Sequence, residues 1–306
     1  MADTGFNILI NNRSGTVLNM GQPAIESAIE ASGIAVAELC FCEPDDMAQT
    51  LMRFAKSDAP LLIGGGDGTI REMAAALVGK KKAFGVLPFG TMNLMAKDLN
   101  LNSLQAALTA YAEGHDIQDV DAGFVNGELF LCCASIGTMP QASVFREENR
   151  TRYNFLLIPR LFLFVVDHLD KNKRQRIRLQ IDGARLKFRA AAVVISNNRF
   201  AETTSWTESN FKRESLQGGE LAIYASTTKS RWSHLRLLLR LMVGNWLKDP
   251  DMSEQVGKRM SLNTHRKKEL VSIDGEVAEL MTPLVFTIKP HHIQMLVPQP
   301  KAAEAV

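Results

Sequence analysis

The sequence predicts a three-layer α/β domain over residues 1–121, followed by a β-rich, antiparallel, sandwich-like domain over residues 122–306. Three observations lead there. Apolar strand-like runs alternate with helical patterns through the first part, the βαβ rhythm of a parallel sheet covered on both faces. Past Asp121, short strands separated by tight turns take over. The 306 residues are enough for two cores.

The elements follow in order. "FNILI" is a short apolar strand, "PAIESAIEAS" a helix and "IAVAELCF" a second strand. "PDDMAQTLMRFAKS" is a helix with Pro44 in its first turn and acids beside it. "PLLIG", "REMAAALVG", "AFGVLPF" and "SLQAALTAYAEG" continue the alternation. "AGFVNGELFLCCAS" then reads as two strands turning at Asn126-Gly127, a strong hairpin signal. "RIRLQIDGARLKFRAAAVVIS" turns at Asp182-Gly183, and "ELAIYAS", "RMSLNT", "ELVSIDGEVAEL" and "LVFTIKP" are further strands. Helices are expected around 150–169 and 231–248, a loop from Asn197 to Gln217, and the final residues packed back on the first domain.

Composition excludes several classes. Apolar residues make up 46% and charged residues 22%, as in soluble globular chains. A net charge of +2 by itself argues neither for nor against nucleic acid. Cys40/Cys42 and Cys132/Cys133 have no zinc spacing and read as structural thiols in a reducing compartment. The N-terminus shows neither the basic nor the apolar region of a signal peptide, and Phe155 to Val166 is too short to span a bilayer. A cytoplasmic protein is expected, in contact at most with the inner face of the membrane.

The chemistry concentrates in three turns. In "LLIGGGDGTI" a strand ends in Gly64, Gly65 and Gly66, followed by Asp67, Gly68 and Thr69. Glycines let backbone N–H groups approach an anion, and the following helix start adds unpaired donors. An acid beside phosphate is repulsive unless a cation intervenes, so Asp67 is read as a metal residue; the alternative is a helix cap. "GVLPFGTMNLMAKDL" places Gly90, Thr91 and Asn93 after another strand, and "ILINNRSGT" places Asn11, Ser14 and Gly15 after the first. Ligands of open α/β sheets bind at such strand ends.

These turns resemble the diacylglycerol kinase catalytic family of lipid kinases, which carries N-P-x-S-G, G-G-D-G-T and P-x-G-T-x-N in this order. Here they stand as Asn11-Asn12-Arg13-Ser14-Gly15, Gly65-Gly66-Asp67-Gly68-Thr69 and Pro88-Phe89-Gly90-Thr91-Met92-Asn93. The resemblance implies ATP as donor, Mg²⁺ as cofactor and a lipid hydroxyl, first of all that of diacylglycerol, as acceptor. It also implies that Glu276, in a D-G-E segment, is the catalytic base, and that Asp121 helps organise the metal with Asp67. Asp274-Gly275 is otherwise an ordinary hairpin turn like Asp182-Gly183, with Ala184 where Glu276 stands.

Some positions depart from the family. Asn12 replaces proline, a change expected to loosen its turn, and Leu94 stands where many members have an acid. "SLQGGEL" lacks the Asp-Gly of a structural-metal segment, and "SIGTMPQAS" lacks the G-x-D-A form. Trp232, Leu235, Leu239, Met242, Val243 and Trp246 share one helical face, beside Arg236 and Arg240, expected to pack on the β layer or to lie on an anionic bilayer. Lys171, Lys173, Arg174, Arg176 and Arg178 read as a solvated turn entering a strand, without the interleaved aromatics of an RNA patch. His291-His292 reads as surface. The expected partners are a lipid substrate and, transiently, a membrane surface, with no nucleic acid; a homodimer is left open. Two rival readings stand beside the lipid kinase: a soluble NAD-kinase-like enzyme and a non-catalytic nucleotide or lipid sensor.

Overall fold

The structure, a computed structural model, describes residues 5–140, 174–202, 211–228 and 230–299. The segment Phe155 to Val166, the helix expected around 150–169 and the lysines Lys171 and Lys173 lie outside the described residues. Two compact units emerge, one of Met1–Val120 with His291–Val306, the other of Asp121–Pro290.

The first unit runs β1 (Phe6–Asn11), α1 (Gly15–Met20), α2 (Gln22–Ser32), β2 (Val36–Cys42), α3 (Pro44–Ala55), β3 (Leu61–Gly65), α4 (Asp67–Leu77), β4 (Phe84–Pro88), α5 (Leu94–Asp98) and α6 (Leu104–Glu113). Its strands lie parallel in the order β2-β1-β3-β4. Every residue of β3 and β4 is buried, which requires cover on both faces. The helices supply it. Met47, Leu51 and Phe54 of α3, at helical spacing, are buried, as are Ile70, Met73, Ala74 and Leu77 of α4. Pro44 opens α3 with Asp45 and Asp46 beside it, where a helix tolerates the missing N–H and favours negative charge.

The chain returns to this unit near its end. In β16 (Leu284–Pro298), Met295 pairs in parallel with Phe84 of β4. The buried Tyr111 hydroxyl accepts from the Val86 N–H (3.0 Å) and donates to the Leu296 carbonyl (3.2 Å). Burial pushes that phenol's pKa well up.

The second unit is antiparallel. Its strands are β5 (His115–Val125, shared with the first unit), β6 (Glu128–Phe130), β7 (Cys133–Gly137), β8 (Gln175–Ile181), β9 (Ala184–Ala190), β10 (Ala192–Asn197), β11 (Leu221–Ser226), β12 (Met252–Gly257), β13 (Arg259–Asn263), β14 (Lys268–Ile273) and β15 (Glu276–Met281). One sheet has the order β12-β11-β10-β7-β14-β15, and β9, β8, β13 and the first part of β16 pair in turn. Ile136, Ile195, Ile223 and Val271 from the first layer meet Leu179, Met260, Leu262 and Phe286 from the second in one buried core. Alternating inward residues from two layers make a sandwich.

Among the described residues of this unit, one helix is present, α7 (Arg231–Met242), capped by a reciprocal Ser230/Ser233 box. Its packing corrects the sequence expectation. Ser233, His234, Leu237 and Leu238 are buried, whereas Trp232 is 80% exposed and Leu239 52%. The face read as core points outward, and Trp246 belongs to the segment after the helix, where it packs edge-to-face with Phe200 and Tyr224. The two arginines are tied down: Arg236 bonds Asp249 and Asp251, and Arg240 also reaches Asp249. No helix among the described residues is long and apolar enough to cross a membrane.

Candidate active site

The glycine loop is built by strand and helix ends in the first unit. β3 runs to Gly65, Gly66 is extended, and α4 starts at Asp67. The glycines divide into two kinds. A Cβ on Gly64 would sit 2.8 Å from the Phe89 ring, one on Gly65 2.5 Å from Thr69 Cβ, and one on Gly90 2.5 Å from Gly66 Cα. At Gly64 and Gly90 the missing side chain lets one turn pack on another, and at Gly65 it lets the strand end close against the first turn of α4. At Gly66 the nearest atom is Gly90 Cα at 3.4 Å, so a small side chain has room there.

Asn11 ties the first turn to the second. Its Nδ2 donates to Thr69 Oγ1 (2.8 Å), and its Oδ1 accepts from the Arg13 N–H (2.8 Å). The Ser14 N–H donates to the Asn11 carbonyl (3.0 Å), and the Thr16 N–H to the Phe89 carbonyl (3.1 Å). Ser14 is buried, its side chain does not cap α1, and its Oγ has no partner among the described residues.

Asp67 is the first residue of α4, whose N-cap position is Gly66. Its Oδ1 accepts from the Leu94 N–H (2.7 Å), the first N–H of α5. Asn93 takes the left-handed conformation (φ 50°, ψ 47°) and closes the third turn on itself. Its Oδ1 accepts from the Gly90 N–H (2.7 Å) and its Nδ2 donates to the Gly90 carbonyl (2.8 Å). Thr91, between them, is exposed. The structure thus brings Asn11, Asp67, Thr69, Gly90 and Asn93 into one bonded group of turns.

In the second unit Asp121 is 1% exposed. Its Oδ2 accepts from Asn198 Nδ2 (3.0 Å) and from the Gly219 N–H (2.7 Å), and its carbonyl accepts from Asn197 Nδ2 (2.8 Å). Gly219, in the segment lacking Asp-Gly, therefore serves the acid through its backbone. Glu276 is exposed at the start of β15, directly after the Asp274-Gly275 turn. The buried Asp274 accepts the N–H groups of Leu131 (2.7 Å), Cys132 (2.9 Å) and Cys133 (2.9 Å). Asp274, Asn197 and Asn198 were missed as a polar hub in the sequence; the signal was two asparagines closing the apolar run "AAAVVISNN". Among the described residues no three of His, Cys, Asp and Glu converge as a metal set.

Residues 6–125 match the diacylglycerol kinase catalytic domain, and residues 135–297 match the YegS C-terminal NAD kinase beta sandwich-like domain. An uncharacterized protein of Synechocystis sp. is 23% identical over 247 residues, 79% of this chain and 56% of its own length. A diacylglycerol kinase of Staphylococcus aureus (strain JH9) is 30% identical over 129 residues, 40% of this chain and 39% of its own length. Against both curated relatives, then, the match takes in well under two thirds of the relative. In fold, the crystal structure of a diacylglycerol kinase from Bacillus anthracis str. Sterne superposes with a TM-score of 0.68 at 19% identity, over 97% of this chain and 98% of that one. With both halves matched in order, the chain belongs to the family in which a diacylglycerol kinase catalytic domain precedes a YegS-type, NAD kinase-like β-sandwich domain.

Proposed function

We propose that the protein is an ATP-dependent lipid kinase that transfers the γ-phosphate to a lipid hydroxyl, with diacylglycerol the first acceptor. The observation that carries this reading is the buried Ser14 hydroxyl, unpartnered among the described residues and set in a turn bonded to the glycine loop. A buried polar group without a partner costs about 1–3 kcal/mol. A phosphate oxygen is the acceptor such a hydroxyl lacks. Asn11, Ser14, Gly15, Gly64 to Thr69, Gly90, Thr91 and Asn93 are assigned to the nucleotide.

Mg²⁺ fits this donor set, because it commonly takes one or two carboxylates together with water and substrate phosphates. Asp67 would hold it, with Asp121 a second candidate; when bound, the ion would neutralise charge on the phosphoryl oxygens. Glu276 is assigned as base. It takes the proton of the acceptor hydroxyl as the new P–O bond forms and the bond from the γ-phosphorus to the bridging oxygen breaks. Contact with the inner face of a membrane belongs to the same reading, and the exposed Trp232, Leu235 and Leu239 of α7 support it.

The test is ADP release from Mg²⁺-ATP with diacylglycerol in mixed micelles, with NAD, and with neither. The expected result is release with the micelles alone, lowered on the order of 10²-fold or more in Asp67→Asn. Release that depends on NAD would move the assignment to a soluble NAD-kinase-like enzyme, a reading favoured by the name of the C-terminal domain match. ATP binding without release in any arm would make the protein a sensor.

A further inference from the structure

Asn12, expected to loosen its turn, is instead clamped. Its N–H donates to the Cys42 carbonyl (2.8 Å), a bond that proline has no N–H to make. Its side chain is engaged at both ends. Nδ2 donates to Glu43 Oε1 (2.7 Å), and Oδ1 accepts from Gln22 Nε2 (2.9 Å). The second oxygen of Glu43 accepts from Arg13 Nε (2.7 Å). Glu43 occupies the N-cap position of α3, immediately before Pro44, yet its side chain makes no bond to that helix. It reaches instead to residues 12 and 13, which lie between Asn11 and the buried Ser14.

We infer that Glu43 is a positioning residue for nucleotide binding, holding the Asn11–Gly15 turn through Asn12 and Arg13 in the conformation that presents the Ser14 hydroxyl. The inference rests on the kinase reading. The physical logic is preorganisation. A proline restricts a turn covalently; here three side-chain bonds and one backbone bond restrict it from outside. A turn fixed beforehand loses less entropy when a phosphate arrives. The far side of the turn is already anchored by Asn11 to Thr69 and by the Thr16 N–H to Phe89, so the clamp completes the frame. The hydrogen bonds from Asn12 and Arg13 also hold the Glu43 carboxyl below its ordinary range. The clamp is therefore ionised at neutral pH, and its contribution is lost only as pH falls through that lowered value.

The same strand and helix supply a control. Arg53 of α3 makes a two-pronged ion pair with Glu38 of β2 (2.6 Å for each bond), comparable in exposure to the Arg13–Glu43 pair. Neither partner of that pair bonds the turn.

The experiment is calorimetric titration of the intact protein with Mg²⁺-ATP, alongside steady-state kinetics. Glu43→Ala and Asn12→Ala are each expected to raise Kd for ATP about tenfold, and the double variant by less than the two losses combined, since both remove the shared Asn12–Glu43 bond. KM for ATP should rise with Kd, while kcat at saturating ATP and KM for lipid stay within about twofold, because fixing a turn for binding leaves the transfer step alone. Arg53→Ala should bind ATP like the wild type. Unchanged Kd in Glu43→Ala, an equal loss in Arg53→Ala, or additive losses in the double variant would each overturn the clamp. If the wild-type protein bound no ATP at all, the kinase reading would fall and the clamp with it. A wild type that binds ATP beside an unaffected Glu43→Ala would sink the clamp alone.

Discussion

The second unit contains the same three residues twice, Ile181-Asp182-Gly183 and Ile273-Asp274-Gly275, and folds them into the same turn. Both aspartates are left-handed, at φ 44° and 48°, and both glycines follow at 97° and 93°. Each turn closes an antiparallel pair, Ile181 with Ala184 and Ile273 with Glu276. The difference is what the aspartate meets. Asp182 is exposed and accepts the N–H groups of Lys258 (3.0 Å) and Arg259 (2.9 Å). Asp274 is buried and gathers three N–H groups from Leu131 to Cys133. One turn closes a hairpin at the surface. The other is bolted into the interior, so the residue after it, Glu276, projects from a fixed mount. Local sequence decides the turn, and distant backbone decides how firmly it is held.

The largest expected effect separates the residues that follow the turns. Glu276→Gln should lower turnover on the order of 10²–10⁴-fold while ATP affinity and thermal midpoint barely move, since the amide is isosteric. An active Glu276→Gln enzyme would erase the functional half of the contrast and move the base to Asp121 or Asp67. The next effect separates the aspartates. Asp274→Asn replaces one of the two oxygens that accept three N–H groups by an NH₂ donor, and should destabilise by about 1–3 kcal/mol in urea unfolding. Asp182→Asn, at the surface, should cost under about 1 kcal/mol in the same measurement; equal losses would mean that burial does not distinguish the turns. The smallest effect is Ala184→Gln, expected within about 0.5 kcal/mol of wild-type stability and with unchanged turnover. A loss of activity there would show that the first hairpin is not the inert partner.

Much of the fold was legible because its signals are local. Apolar runs of five or six residues ending in glycine or proline marked β3 and β4, and Asn126-Gly127 and the two Asp-Gly pairs marked their hairpins. β12 was not legible. Among the described residues it pairs only with β11 at a sheet edge, and Met252–Gly257 is largely exposed, so no apolar alternation announces it. The helix α7 was found but turned the wrong way. Its leucines occupy both faces, and Arg236 and Arg240, read from the sequence only as a ridge beside the apolar face, are paired with Asp249.

The candidate site divides along the same line. The three turns were readable from residue types. That Gly64, Gly65 and Gly90 spare clashes with protein atoms was not, because Phe89, Thr69 and Gly66 meet them only in three dimensions. The Glu43 clamp spans 31 positions from Asn12, and the Asp274 bonds span more than 140, distances at which no sequence pattern names a partner.

The grouping of His291–Val306 with Met1–Val120 has a consequence for synthesis. The ribosome must make all of Asp121–Pro290 before it can supply the strand that lies beside β4. At about 5–20 residues per second, that delay is on the order of ten seconds. During it, Phe84 lacks Met295 and the Tyr111 hydroxyl lacks the Leu296 carbonyl, while β4 stands as a naked sheet edge. Unpaired edges of that kind recruit other chains. Slower growth or a nascent-chain chaperone would therefore act on one identifiable place in this molecule, the waiting side of β4.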